Sequence, residues 1–325
     1  MIRHANKEIL TKIPFIDNVP HDGRAVLLPP YFDETDSTFK IYIPQKDKLT
    51  WMRAKPYLAW YYANSLVDKS NDMYIPLFDN LARQFSFRSI INNFWRIILD
   101  VRNCGSIIEK YFVFLERYRE TKNIEISFMM ETDLEYFFGN IQSIYDLLQK
   151  TIRDLWKKEG GAHLCLSFAD IIKQDPQTLK VKYVLPDPLV NYYVNSGIFF
   201  NNCKEIRDSI FHAMHRSGAK GNDFQVIFCT DEGFALSKKD PILQDILKLN
   251  IWTEEKTKEN GLISILALLA YITREILKNF DMLSDALTQS ITRYPPISEK
   301  QKLFYRGPFN KHLLRVDEYI EKQWY

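Results

Sequence analysis

The stretch from Asp187 to Gly218 carries the densest set of side chains able to do chemistry: Asn201, Glu205, Arg207, Asp208, His212, His215 and Arg216. An imidazole titrates near neutral pH and can take or give a proton. A guanidinium presents a planar fork that suits an oxyanion. Asp208 and His212 stand four residues apart, so on a helix their side chains can meet. A carboxylate there would hold the imidazole and favour its protonated form. This set fits acid–base chemistry on an already reactive substrate. The same residues also read as a solvated polar face with incidental histidines.

The element that must position them is one long helix. Pro186, Asp187 and Pro188 punctuate its start, with Asp187 suited to the N-cap and Pro188 to the first helical position. Phe199, Cys203, Ile206, Ile210 and Ala213 recur every three or four residues, which is the helical period. Gly218 suits a left-handed C-terminal cap. At about 100° per residue, Asn201, Glu205, Asp208, His212, His215 and Arg216 fall opposite Ile206, and Arg207 lies on the flank of the apolar stripe.

The rest of the chain reads as a mainly helical bundle with a small β-hairpin, an all-α class. Residues 1–85 form an N-terminal wrapping segment broken by Pro14, Pro20, Pro29, Pro30, Pro44, Pro56 and Pro76. It carries short helices, a short strand at Thr38–Ile43 and an aromatic stretch from Trp51 to Val67 that covers a core. Residues 86–325 form the helical domain. One helix runs from Ser86 to Arg119. A second starts at a capping box, Thr132 with Glu135, and stops at Gly160-Gly161. A small helix near Phe168–Lys173 follows. A hairpin then spans Gly221–Ser237, turning at Asp231-Glu232-Gly233. Asn260–Thr288 is the last long helix, and a tail with Pro295-Pro296 leads to a short helix near Asn310–Gln323.

Composition narrows the function classes. At 325 residues with a net charge of +2, no global field advertises nucleic acid, although a local patch would suffice. The four cysteines are scattered without CxxC spacing, which argues against a zinc or redox motif and fits a reducing cytoplasm. No signal peptide, membrane span, Gly-rich phosphate loop, HExxH or GxSxG is legible. The expectation is a soluble cytoplasmic protein with no metal, cofactor or membrane partner.

Glu205-Ile206-Arg207-Asp208-Ser209-Ile210-Phe211-His212 resembles the signature of the HEPN superfamily: Arg, four to six residues, then His, with a polar residue after the Arg. The resemblance covers roughly residues 130–290. It implies an α-helical domain whose signature helices meet across a homodimer and cleave RNA without metal. Arg207 and His212 would then be catalytic, with Asp208 orienting His212. His215, Arg216 and Asn201 would support or bind substrate. The products would be a 2′,3′-cyclic phosphate and a 5′-hydroxyl, the setting a toxin–antitoxin or phage-defence system, and the partners an antitoxin or activator. A second reading keeps the fold as a non-catalytic RNA-binding, nucleotide-binding or regulatory module. A second Arg–His spacing, Arg306 to His312, is interrupted by Gly307-Pro308 and cannot lie on one continuous helix. On an ideal helix Arg207 and His212 point roughly 140° apart and lie about 7.5 Å apart along the axis. A shared centre therefore needs a bent helix or two copies facing each other.

Overall fold

The computed structural model describes residues 3–4, 30–45, 48–54, 60–85, 87–213, 226–229, 233–237, 262–292 and 301–322. In chain order the strands are β1 (Arg3–His4), β2 (Tyr31–Asp33), β3 (Thr38–Gln45), β4 (Lys48–Arg53), β5 (Trp60–Ala63) and β6 (Asp72–Tyr74), then β7 (Val226–Cys229), β8 (Gly233–Ser237), β9 (Leu262–Ser264) and β10 (Lys302–Arg306). The helices are α1 (Pro76–Arg83), α2 (Arg88–Thr121), α3 (Glu125–Lys158), α4 (Phe168–Ile171), α5 (Pro176–Val181), α6 (Asp187–Ala213), α7 (Ile265–Ser290), α8 (Asn310–Leu314) and α9 (Val316–Lys322). The chain is mainly helical, as its periodicities predict. Two compact units emerge: Met1–Ile98 with Leu147–Tyr193 and Asn279–Lys311, and Leu99–Asp146 with Val194–Lys278 and His312–Tyr325. The division does not follow residue 85, because each of the four long helices contributes to both units.

The strand content exceeds the expected hairpin. In the first unit a seven-stranded sheet has the order β1-β4-β3-β2-β5-β10-β6, antiparallel throughout except for the parallel β2–β5 pair. Among the described residues of the N-terminal segment, strands outnumber helix, and the strand at Thr38 is one of six. Aromatic residues account for this, because they pack well on a pleated surface. Phe32 and Phe39 pair across β2 and β3 at 5.0 Å, Phe39 meets Tyr61 at 4.9 Å, and Phe304 of β10 continues the row to Tyr61 at 5.9 Å and Tyr74 at 6.2 Å. Trp60 packs on Phe94 of α2 at 5.3 Å. Phe78 of α1 touches Phe94, Phe280 of α7 and Tyr305 of β10 at 5.4–6.0 Å. Rings thus hold the sheet together and seat helices on it, each pair adding about 0.5–1.5 kcal/mol beyond area burial.

Buried charge fixes β10 between β5 and β6. Asp72, fully buried, accepts from Arg306 Nε at 2.7 Å and from its terminal nitrogen at 2.9 Å, from the Tyr61 hydroxyl at 2.7 Å and from the Asp68 amide at 2.7 Å. Asp79 of α1 accepts from Arg83 at 2.5 and 2.6 Å and from the Leu303 amide of β10. Arg83 also donates to the Gln301 carbonyl.

Several helix ends differ from the sequence reading. Thr132 lies inside α3, where its hydroxyl bonds back to the Phe128 carbonyl. The helix begins instead beyond Asn123, whose side chain accepts the Glu125 amide at 3.0 Å. Lys122 turns the α2–α3 connection with a left-handed φ of 53°. Gly160 and Gly161 do end α3: Gly160 has φ 89° and Gly161 donates to the Trp156 carbonyl. In the second unit, β7 and β8 form the expected hairpin, and β9 adds a third strand. Leu262–Ser264, expected as the first turn of a helix, is that strand, and the Ser264 hydroxyl accepts the Leu266 amide where α7 begins. The tail adds β10, and its helix is split into α8 and α9. Residues 230–232, Gly218 and Pro295-Pro296 lie outside the described residues.

Two stability predictions follow from these charges. Asp72→Ala leaves the Arg306 guanidinium and the Tyr61 hydroxyl without their acceptor, which costs about 3 kcal/mol, the lower end for a broken buried pair because Arg306 is partly exposed. Urea unfolding measures it, and a loss under about 1 kcal/mol would contradict the assignment. Asp33 sits in a second latch, accepting from Lys40 Nζ at 2.5 Å and from Thr35. Burial alone would raise its carboxyl, but the bonds from Lys40 and Thr35 win and hold it below the usual range. A depressed folded pKa contributes stability above the unfolded value of about 3.9 and loses it as pH falls. Lys40→Met should therefore flatten the acid limb of the stability–pH curve, and an unchanged limb would count against the latch.

Candidate functional site

The site lies in the second unit, where the C-terminal part of α6 runs antiparallel to α3. Tyr145 of α3 meets Phe200 at 5.3 Å and Phe199 at 6.2 Å. Farther along α6, Cys203 and Ile206 are buried. The buried line is Phe200, Cys203 and Ile206, with Phe199 half-buried beside it. This rotates the stripe toward Phe200, so Arg207 falls within it rather than on its flank. Asp187 is the first helical residue rather than the cap. The Pro186 carbonyl accepts the Leu189 and Val190 amides, and Asp187 pairs with Lys180 at 2.7 Å.

A small recess opens between α3 and α6, lined by Phe138, Ile141 and Gln142 on one side and by Phe200, Cys203, Lys204 and Arg207 on the other. Arg207 borders this apolar floor with part of its side chain still open to solvent, the usual compromise for a long cationic side chain. Arg207 Nε donates to Asp208 Oδ1 at 2.9 Å, and one terminal nitrogen donates to the same oxygen at 2.5 Å. The Arg207 side chain is 20% exposed and that of Asp208 is 40% exposed. A pair this close to solvent is worth about 0–1 kcal/mol. Asp208 was expected to orient His212, whose side chain lies outside the described residues; among the described residues Asp208 engages Arg207.

The remaining expected residues are distributed as follows. Asn201 and Glu205 are exposed on α6. His212 belongs to the last turn of α6, and its side chain lies outside the described residues, as do His215 and Arg216 altogether. Two residues that the sequence reading passed over, Lys204 and Gln142, share the recess with Arg207. The signal for Lys204 was present, since positions three apart on a helix are neighbours.

The second Arg–His spacing is consumed by packing. Arg306 ends β10 and binds Asp72. His312 is buried in α8, with Nδ1 2.8 Å from the Tyr319 hydroxyl and Nε2 paired with Glu109. Burial pushes the Tyr319 phenol up to about 12, so it stays protonated at neutral pH. Replacing His312 would therefore disturb the fold.

No family model, curated protein or solved structure matches the chain. Among the described residues, no group of three His, Cys, Asp or Glu side chains is placed to hold a metal ion, and no helix is long and apolar enough to cross a membrane.

Cys203 gives a direct check of the recess floor. Burial pushes its thiol well above the ordinary range, and the thiolate is the reactive species. At pH 8 Cys203 should resist iodoacetamide in the folded protein and react after denaturation, read by peptide mass spectrometry. Rapid native labelling would mean that the α3–α6 contact is open.

Proposed function

We propose that this protein is a metal-independent endoribonuclease of the HEPN type, acting as a homodimer. The observation that carries the reading is the placement of Arg207: its charge is held at the rim of an apolar recess, five residues before His212 on one unbroken helix. RNA supplies its own nucleophile, so the protein needs acid–base help and charge stabilisation. His212 takes the 2′-hydroxyl proton, the 2′-oxygen attacks phosphorus, and the bond to the 5′-oxygen breaks as that oxygen gains a proton from the partner's His212. Arg207 stabilises the charge that builds on the non-bridging oxygens.

The engagement of Arg207 by Asp208 favours a second reading, in which the same helix binds RNA or a nucleotide and cleaves nothing. One experiment separates the two. Purified protein is incubated with several RNAs in EDTA, and the ends are analysed for 2′,3′-cyclic phosphate. His212→Ala and Arg207→Ala should each lower the rate by about 10²–10⁴, while exposed His163→Ala cleaves like the parent. Activity that survives both substitutions would sink the assignment. An inactive parent that still retains RNA on a filter would leave the binding module. Light scattering should report about twice the 38.5 kDa chain mass.

A further inference from the structure

We infer that Lys204 and Arg207 form the two arms of a phosphoryl-binding seat over the α3–α6 recess, and that Asp208 occupies the Arg207 arm until an anion displaces it. The inference deepens the RNA reading, on which it rests for the identity of the anion's parent molecule.

Three observations converge on the seat. Lys204 and Arg207 are one turn apart on α6 and line the same recess, which contains no carboxylate. Two like charges at that spacing repel each other when nothing lies between them. Lys204, exposed on α6, makes no ion pair among the described residues, which leaves its charge available to an incoming anion. The Arg207–Asp208 contact is also incomplete: two guanidinium nitrogens converge on one carboxylate oxygen, Oδ1, whereas an arginine fork is best satisfied by two parallel bonds to two oxygens. A phosphoryl group offers those oxygens and still reaches Lys204. Gln142, half-buried on the facing helix, adds an amide that can donate to the same group. The floor of Phe138, Ile141, Phe200 and Cys203 is almost wholly buried, and low local dielectric strengthens charges placed above it. Asp208, more exposed than the arginine it holds, can swing into solvent when it is displaced.

This assigns Asp208 a role opposite to that of a histidine-orienting carboxylate. As a competitor it weakens anion binding; as an orienter it would leave binding alone and lower turnover. The test measures binding of two probes at fixed salt: inorganic pyrophosphate, and a 2′-O-methyl oligoribonucleotide that cannot be cleaved. Asp208→Asn should tighten binding about twofold to fivefold, the factor equivalent to a surface ion pair. Lys204→Ala should weaken binding by a similar factor and reduce the salt slope for the oligonucleotide by about one, while Lys204→Arg retains it. Thermal melts verify that each variant is folded. A response to both probes assigns the seat to phosphoryl groups in general, and a response confined to the oligonucleotide assigns it to a polynucleotide. Unchanged or weaker binding by Asp208→Asn, or unchanged binding by Lys204→Ala, overturns the seat. Cleavage of unmodified RNA is followed in parallel. Responsive binding without cleavage defeats the ribonuclease reading and leaves the seat, whereas cleavage with unresponsive binding does the reverse.

Discussion

Two carboxylates buried beside one strand set the terms for the first unit. Asp72 and Asp79 cannot be left in the interior without compensating donors, since an unpaired buried charge is among the most expensive things a fold can contain. Part of that donor set arrives with β10: Arg306 reaches Asp72 and the Leu303 amide reaches Asp79, while Arg83 of α1 binds Asp79 within its own helix and donates to the Gln301 carbonyl just before β10. A segment late in the sequence is thereby drawn between β5 and β6, two strands much earlier in it. Phe304 then completes an aromatic row that would otherwise stop at Tyr61. Charge selects the strand's position and the rings make that position favourable.

That dependence explains which parts of the fold were legible in the sequence. Helical period is local, so α2, α3, α6 and α7 announce themselves within their own residues. Sheet pairing here is not local. The parallel β2–β5 pair and the insertion of β10 join segments whose sequences carry no mark of each other. The strands are also short and interrupted by prolines, which left the N-terminal segment looking like a covering arm. Short apolar runs are ambiguous by nature, and Leu262–Ser264 fits a strand as well as a helical turn. The Thr132 capping box failed for a different reason. Its residues satisfy the pattern, but about two turns of helix could still form before it once Asn123 supplied a cap.

The candidate site was half legible for a comparable reason. Residue types and spacing pointed to Arg207, Asp208 and His212, and the helix that carries them is present. The phase of its apolar stripe was misjudged, because Phe199 and Phe200 are both aromatic and composition does not choose between them. Packing against Tyr145 favours Phe200. Taking Phe200 in place of Phe199, with Cys203 and Ile206 kept, turns the centre of the stripe by about 35° toward Arg207, enough to bring Arg207 toward the core with Lys204 beside it. Gln142 was beyond reach, since its place at the recess depends on how α3 meets α6.

The same phase bears on how Arg207 and His212 could ever act together. From Arg207 to Ala213 α6 runs as α-helix without a proline or a break, so an angular separation of about 140° between the two positions stands. Lining the recess beside Phe200 and Cys203 and bonded to Asp208, Arg207 has little freedom to follow His212 around the helix. An acid–base centre that uses both groups must then take the imidazole from a second helix. A two-fold axis does this with one chain sequence, because each copy supplies what the other lacks. In such an arrangement Asp208, lying between the two directions, is where the approaching helix brings its polar face, and a phosphate entering the cleft meets the carboxylate before it meets the arginine.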